Sequence, residues 1–280
     1  MTLASCDSRK TAGENPFFTE WDPPPGVPPF DKILPEHFMP AFERGMSLHE
    51  AEIDAITSNK DEATFENTIL AYDNAGQMLA QTELVFGMLC AAETNDRMQA
   101  LQEQAMPLLA AHRDKIRLDD KLFVRVKEVY DRRAALGLDA EQMRLLQKTY
   151  DSFVRAGALL DAEQKARLKE INGQLSLTAV KFGNNILAEN NNFVLELKSD
   201  ELDGLPAGIR DAAREKAQQM GKGDKWVFTL HKPSLIPLLT YSTRRDLREK
   251  IYKAYLNRCN NGDEYDNKQL INDFIRLRTE

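Results

Sequence analysis

The chain has 280 residues, 42% of them hydrophobic, enough to bury a sizeable core in one large or two small domains and too many for an intrinsically disordered chain. Lys and Arg number 37 against 44 Asp and Glu, a formal net charge of −7, and that balance argues against nucleic acid as a partner, because phosphate backbones are held by clustered cations. No stretch approaches the roughly 18 uninterrupted apolar residues of a membrane-spanning helix.

Residues 1–40 read as an extended, Pro-rich arm: eight of the 12 prolines fall there, and proline fixes φ and removes a backbone donor. Phe17, Phe18, Trp21 and Phe30 are expected to anchor this arm in grooves of the body. Residues 41–280 read as a helical lobe. Phe42, Met46, His49, Ile53 and Ile56 follow the three- and four-residue steps of an amphipathic helix, and Ile69, Tyr72, Gly76, Leu79, Phe86 and Leu89 predict a second. Asn95 and Asp96 cap a helix carrying Leu101, Ala105, Leu108, His112 and Ile116, while Asp119 and Asp120 precede Leu122, Val126, Val129 and Tyr130. A further helix opens near Asp139 and runs through Met143, Leu146, Tyr150 and Phe153 to Gly157 and Leu160, and the next carries Leu168, Ile171, Leu175, Phe182 and Ile186 before Asn190-Asn191-Asn192 ends it.

The only convincing β-rich runs are 193–197 and 226–230, which predict one small antiparallel ribbon around a helix from Pro206 to Met220. Short helices follow from Pro233 or Ser234 and from Thr243 or Arg244, and the last carries Leu270, Ile271, Phe274 and Leu277. The fold class expected is therefore mainly α, a multi-helix bundle or array with one ribbon. The sequence stops at Arg276-Leu277-Arg278-Thr279-Glu280 with its helical period intact, which reads as a cut inside a longer protein. Such a cut is expected to leave Leu270, Phe274 and Leu277 uncovered.

Residue chemistry offers no catalytic, cofactor or metal residue within these 280 positions. The four histidines, His37, His49, His112 and His231, include no i, i+4 pair for a helix-borne zinc site, and His49-Glu50 has Ile53 where a second ligand would stand. His49 and His112 lie on apolar stripes and read as hydrogen-bonded packing residues. Gly221-Lys222-Gly223-Asp224-Lys225 lacks phosphate-loop spacing and precedes a strand, so it reads as a turn. Cys90 and Cys259 read as buried thiols, and three scattered cysteines form no disulfide framework. Cys6 differs: Leu3-Ala4-Ser5-Cys6 resembles the lipobox at which bacterial lipoproteins are cleaved and acylated, making Cys6 the candidate lipidation site.

The pattern as a whole is more specific than any single site. Asn15-Pro16-Phe17, Phe30-Asp31-Lys32-Ile33, Pro35-Glu36-His37-Phe38-Met39-Pro40-Ala41-Phe42 and Gly45-Met46 resemble the opening of bacterial peptidyl-dipeptidases of the thimet oligopeptidase family, zinc metallopeptidases. The resemblance continues through Phe65-Glu66-Asn67-Thr68-Ile69, Thr94-Asn95-Asp96, Leu136-Gly137-Leu138-Asp139, Phe153-Val154-Arg155-Ala156-Gly157-Ala158 and Arg248-Glu249-Lys250. It implies two helical lobes facing across a channel that admits unstructured oligopeptides, of which this chain is the N-terminal lobe. It also implies a zinc cofactor in the full-length protein, held by an HExxH motif that no position here matches, and a C-terminal catalytic half as partner. Acylation of Cys6 would place the protein at the cell envelope, facing the periplasm, with membrane attachment through that lipid only; a cytoplasmic peptidase is the alternative. The competing function is a non-catalytic helical scaffold derived from such a peptidase.

Overall fold

The computed structural model describes residues 14–21 and 26–280. Cys6 and Pro23-Pro24-Pro25 lie outside the described residues. The chain divides into two compact units, residues 1–177 and 178–280, with the boundary inside a single long helix.

In the first unit, proline-led 3-10 turns at Pro16–Phe18 and Pro35–His37 precede α1, Phe38–Ser58. The expected arm thus gives way to helix at Phe38 instead of Ala41, because Pro40 falls in the first turn, where the missing N–H would have had no intrahelical partner. Asn15 caps the first turn and its side-chain amide donates to the His37 carbonyl at 2.8 Å, tying the segment to the start of α1. Phe17 is buried against Phe38, with ring centroids 5.3 Å apart, and Arg44 lies 4.5 Å over the Phe18 ring. Phe30, expected to anchor, is 41% exposed.

A π-helical turn, Phe65–Leu70, runs into the short α2, Ala71–Asp73, and α3 follows at Gln77–Ala92. The single helix expected across this region is broken at Gly76, whose φ of +74° is left-handed. Its N–H donates to Glu52 Oε2 at 2.7 Å, and a Cβ there would meet the His49 ring at 3.0 Å. Next come α4, Asp96–Arg117, α5, Asp120–Asp131, and α6, Ala140–Arg155, each opened by the predicted cap: Asn95, Asp119 and Asp139 accept from the N–H of Met98, Leu122 and Gln142 at 3.1, 2.7 and 2.8 Å. Gln142 returns the bond to the Asp139 N–H, completing a capping box. α6 stops short of Gly157 and Leu160, since Gly157 sits at φ +98°.

Two apolar clusters form this unit's core. One gathers Phe38, Ala41 and Phe42 of α1 with Leu79, Val85 and Phe86 of α3 and Met98, Ala105 and Leu109 of α4. The other gathers Ile53 and Ile56 of α1, Ile116 of α4, Leu122, Val126 and Val129 of α5, and Leu146 and Phe153 of α6. α1 and α4 serve both clusters. Gly45 lets α1 and α3 approach closely, for a Cβ there would stand 3.0 Å from Leu79 Cα. Arg125 of α5, almost wholly buried, ties down the connection after α1 by donating to the Asn59 and Asp61 carbonyls and to Asn67 Oδ1 at 3.0–3.2 Å.

α7, Ala162–Asn192, crosses from the first unit into the second. There β1, Leu195–Leu197, pairs antiparallel with β2, Trp226–Phe228, in the register Leu195 to Phe228, and α8, Ala207–Gln219, lies between them in sequence. The ribbon is shorter than the two five-residue runs because its ends are claimed by helices. The Phe193 N–H donates to the Glu189 carbonyl of α7 at 3.1 Å, and the Thr229 N–H to Ser234 Oγ at 3.0 Å. α9, Lys232–Tyr241, α10, Arg245–Leu256, and α11, Lys268–Thr279, complete the unit. Its core joins Leu195, Leu197 and Phe228 with Leu235, Leu238, Leu247 and Ile251. Gly221 and Gly223 both have positive φ in the turn that sequence indicated, and Lys222 pairs with Glu196 of β1.

Gly204 supplies a direct test of the second unit's packing. Its φ is +83°, and a Cβ would overlap the Tyr241 carbonyl. Gly204→Ala is expected to destabilise by ~2 kcal/mol or more in urea denaturation, whereas Gly208→Ala, facing open space in α8, should be neutral or slightly stabilising.

Candidate functional site

The four histidines fall in three places. His37 Nδ1 accepts from the Leu34 N–H at 3.1 Å, and His231 contacts Asn191 Oδ1 at 3.2 Å. His49 and His112, read from sequence as packing residues on separate helices, meet each other: His49 Nδ1 and His112 Nε2 are 3.0 Å apart. They occupy equivalent places. On α1, His49 lies between the Phe42 and Ile53 ends of the apolar stripe, and on α4, His112 lies between Leu109 and Ile116, so the pair bridges the seam between the two core clusters. On the far side of the His112 ring, Glu50 Oε1 stands 3.5 Å from Nδ1 and its other oxygen takes a 2.8 Å ion pair from Lys115.

Burial pulls both imidazoles below their ordinary pKa, helped by the charge of His112 for His49 and of Lys115 for His112; Glu50 and Glu52 oppose this for His49, as Glu50 and Glu83 do for His112. A neutral pair makes one ring the donor and the other the acceptor, and a doubly protonated pair has no acceptor. These residues do not provide a zinc site, since the two nitrogens are spent on each other. Among the described residues no group of three or more His, Cys, Asp or Glu could hold a metal ion. Among the described residues the zinc of the resembled family therefore finds no fitting donor set.

The thiols of Cys90 and Cys259 are both held in the neutral form. Cys259 is buried with φ +57°, and burial together with Glu189 pushes its pKa to about 11. Cys90 is half-buried, less than the sequence suggested, and burial raises its pKa as well. Around Cys259 a polar network fixes the loop before α11: the Cys259 N–H and the Asn261 amide donate to Glu189, and Asn267 accepts from Asn185 at 2.8 Å while donating to the Phe182 carbonyl at 3.2 Å.

Surface concavities lie in both units. In the second unit, Ala179 and Phe182 of α7 and Leu270, Ile271, Phe274 and Ile275 of α11 line an apolar groove of about 390 Å³. Ile271 and Ile275 are 45% and 56% exposed, while Leu277, expected to be uncovered with Leu270 and Phe274, turns inward and is buried. In the first unit, α4 and α6 form a cationic concavity around Arg117, Arg144, Lys148 and Arg155. Among the described residues no helix is long and apolar enough to cross a membrane.

The described residues assemble surface grooves on a helical frame, and the chain is similar over nearly its whole length to known peptidases. It is 35% identical over 267 residues to dipeptidyl carboxypeptidase of Escherichia coli, covering 95% of this chain and 39% of that protein. It is 25% identical over 271 residues to oligopeptidase A of the same species, again 95% of this chain and 39% of the relative, and 25% identical to the organellar oligopeptidase A of Arabidopsis thaliana over 99% of this chain and 35% of the relative. No family model matches. The chain is thus similar to dipeptidyl carboxypeptidases and oligopeptidases A, and spans about 39% of the length of the former.

The histidine pair predicts a pH dependence. Because the folded-state pKa values lie below the unfolded value of about 6.5, the neutral pair's contribution is complete above that pH. It is lost as pH falls, since the unfolded chain takes up protons that the folded one refuses. His112→Gln should flatten the decline in urea-denaturation stability between pH 6.5 and 5.

Proposed function

We propose that this chain is the N-terminal, channel-forming lobe of a zinc metallopeptidase that releases dipeptides from the C-terminus of unstructured oligopeptides, with the zinc held by a part of the protein outside these 280 residues. The observation that carries the reading is similarity running along 95% of this chain to a dipeptidyl carboxypeptidase of which it covers 39%. When bound, zinc supplies a Lewis acid and an activated water; this chain supplies the wall that selects and orients a flexible peptide. The α7–α11 groove, with Ile271 and Ile275 exposed, supports docking of the catalytic half, since apolar surface of this kind gains from removal from water. Leu3-Ala4-Ser5-Cys6 supports a lipid-anchored, envelope-located protein. Stable attachment would require more than one acyl chain, and unmodified Cys6 preceded by Ser5 in mass spectra of the native protein would reject it.

Residues 1–280 alone are expected neither to hydrolyse peptides nor to bind zinc stoichiometrically. Co-expression with the segment downstream in the source gene should restore dipeptide release from a blocked tetrapeptide, and the double variant Ile271→Lys, Ile275→Lys should weaken the association of the two pieces by tenfold or more, about 1.4 kcal/mol. Zinc-dependent activity from residues 1–280 alone would falsify the reading, and an inactive intact protein would favour the scaffold.

A further inference from the structure

The cationic concavity between α4 and α6 belongs to no part of the peptidase reading. Arg144, Lys148, Asp151, Ser152 and Arg155 succeed one another at helical steps on one face of α6, and Arg117 joins them from the last turn of α4, around a cavity of about 460 Å³. Arg117 and Arg155 have an ordinary reason to be there, since a cation in a helix's last turn offsets the dipole of its terminal carbonyls. Arg144 and Lys148 do not share it. Among the described residues neither they nor Arg155 form an ion pair or hydrogen bond, in a chain with seven more acidic than basic side chains. Only Asp151 brings negative charge to the lining, and it is engaged by the Gln147 amide at 2.8 Å. Arg117 has the Asp114 carboxylate and the Tyr72 hydroxyl within range.

We propose that this concavity binds a small, multiply charged phosphate anion of the pyrophosphate or tripolyphosphate class. Four cations against one carboxylate leave a local excess that a single carboxylate ligand cannot neutralise. Guanidinium forks match phosphoryl oxygens in bidentate geometry, and the Ser152 hydroxyl adds a donor. No aromatic side chain lines the cavity, so nothing there would stack a nucleobase, and the recognised group is the phosphate chain itself. Surface placement makes the affinity sensitive to salt.

The test is calorimetric titration of residues 1–280 with sodium tripolyphosphate at fixed ionic strength, with citrate as a carboxylate anion of comparable charge. Expected are saturable one-to-one binding, at least fivefold weaker binding of citrate, and roughly tenfold loss in each of Arg144→Glu and Lys148→Glu. Arg210→Glu, on α8 in the other unit, should change it less than twofold. Asp151→Asn should bind several-fold tighter, a gain that misfolding does not produce. Equal binding of citrate, equal loss in Arg210→Glu, no gain in Asp151→Asn, or no saturable binding would each overturn the proposal.

Discussion

The first unit depends on how one helix satisfies two cores. α1 buries Phe38, Ala41 and Phe42 in one cluster and Ile53 and Ile56 in the other, and α4 runs beside it with the same division between Leu109 and Ile116. Where the clusters meet, each helix carries a histidine, and each is the other's partner at 3.0 Å. Without His49, the buried His112 ring would lose the partner of its Nε2, a cost of about 1–3 kcal/mol. Together they fix the register of α1 on α4. The Gly76 turn fits against the His49 ring, with its N–H held by Glu52, so the break between α2 and α3 is set by the pair as well.

The second unit solves a different problem. Its ribbon of three residues per strand is too small to stand alone, and it persists because Leu195, Leu197 and Phe228 face a core built with α9 and α10. The loop before α11 is held by Glu189 and the paired amides of Asn185 and Asn267, groups that carry little apolar signal. With that loop fixed, α11 turns Leu277 inward and leaves Ile271 and Ile275 outward beside Phe182.

Chemistry and architecture are separated in this chain. Among the described residues the ionisable groups cap helices, pair across seams or line a surface concavity, and no group of His, Cys, Asp and Glu forms a metal donor set. Capped helices such as α4, α5 and α6 give the first unit a rigid frame, because each cap satisfies N–H groups that would otherwise fray.

The sequence by itself determined most of the helices and the caps that open α4, α5 and α6, the absence of an HExxH motif, the site of the ribbon, and the family resemblance. These are local properties: Asn95, Asp119 and Asp139 cap within three residues of themselves, and an apolar stripe declares its period within one helix. Tertiary structure decided what lies between elements. Gly76 fits a three- and four-residue spacing in sequence, yet its positive φ and its contact with a ring 27 positions away make it a turn. Leu277 shares a periodic face with Leu270 and Phe274, and of the three only Leu277 is fully buried. His49 and His112 each read as packing residues; that they are one another's partner, 63 positions apart, follows from the alignment of two helices that no local pattern encodes. The same holds for Arg117 with Arg144, Lys148 and Arg155, whose like charges are ordinary solvated residues along the chain and a concentrated field only once the end of α4 comes near α6.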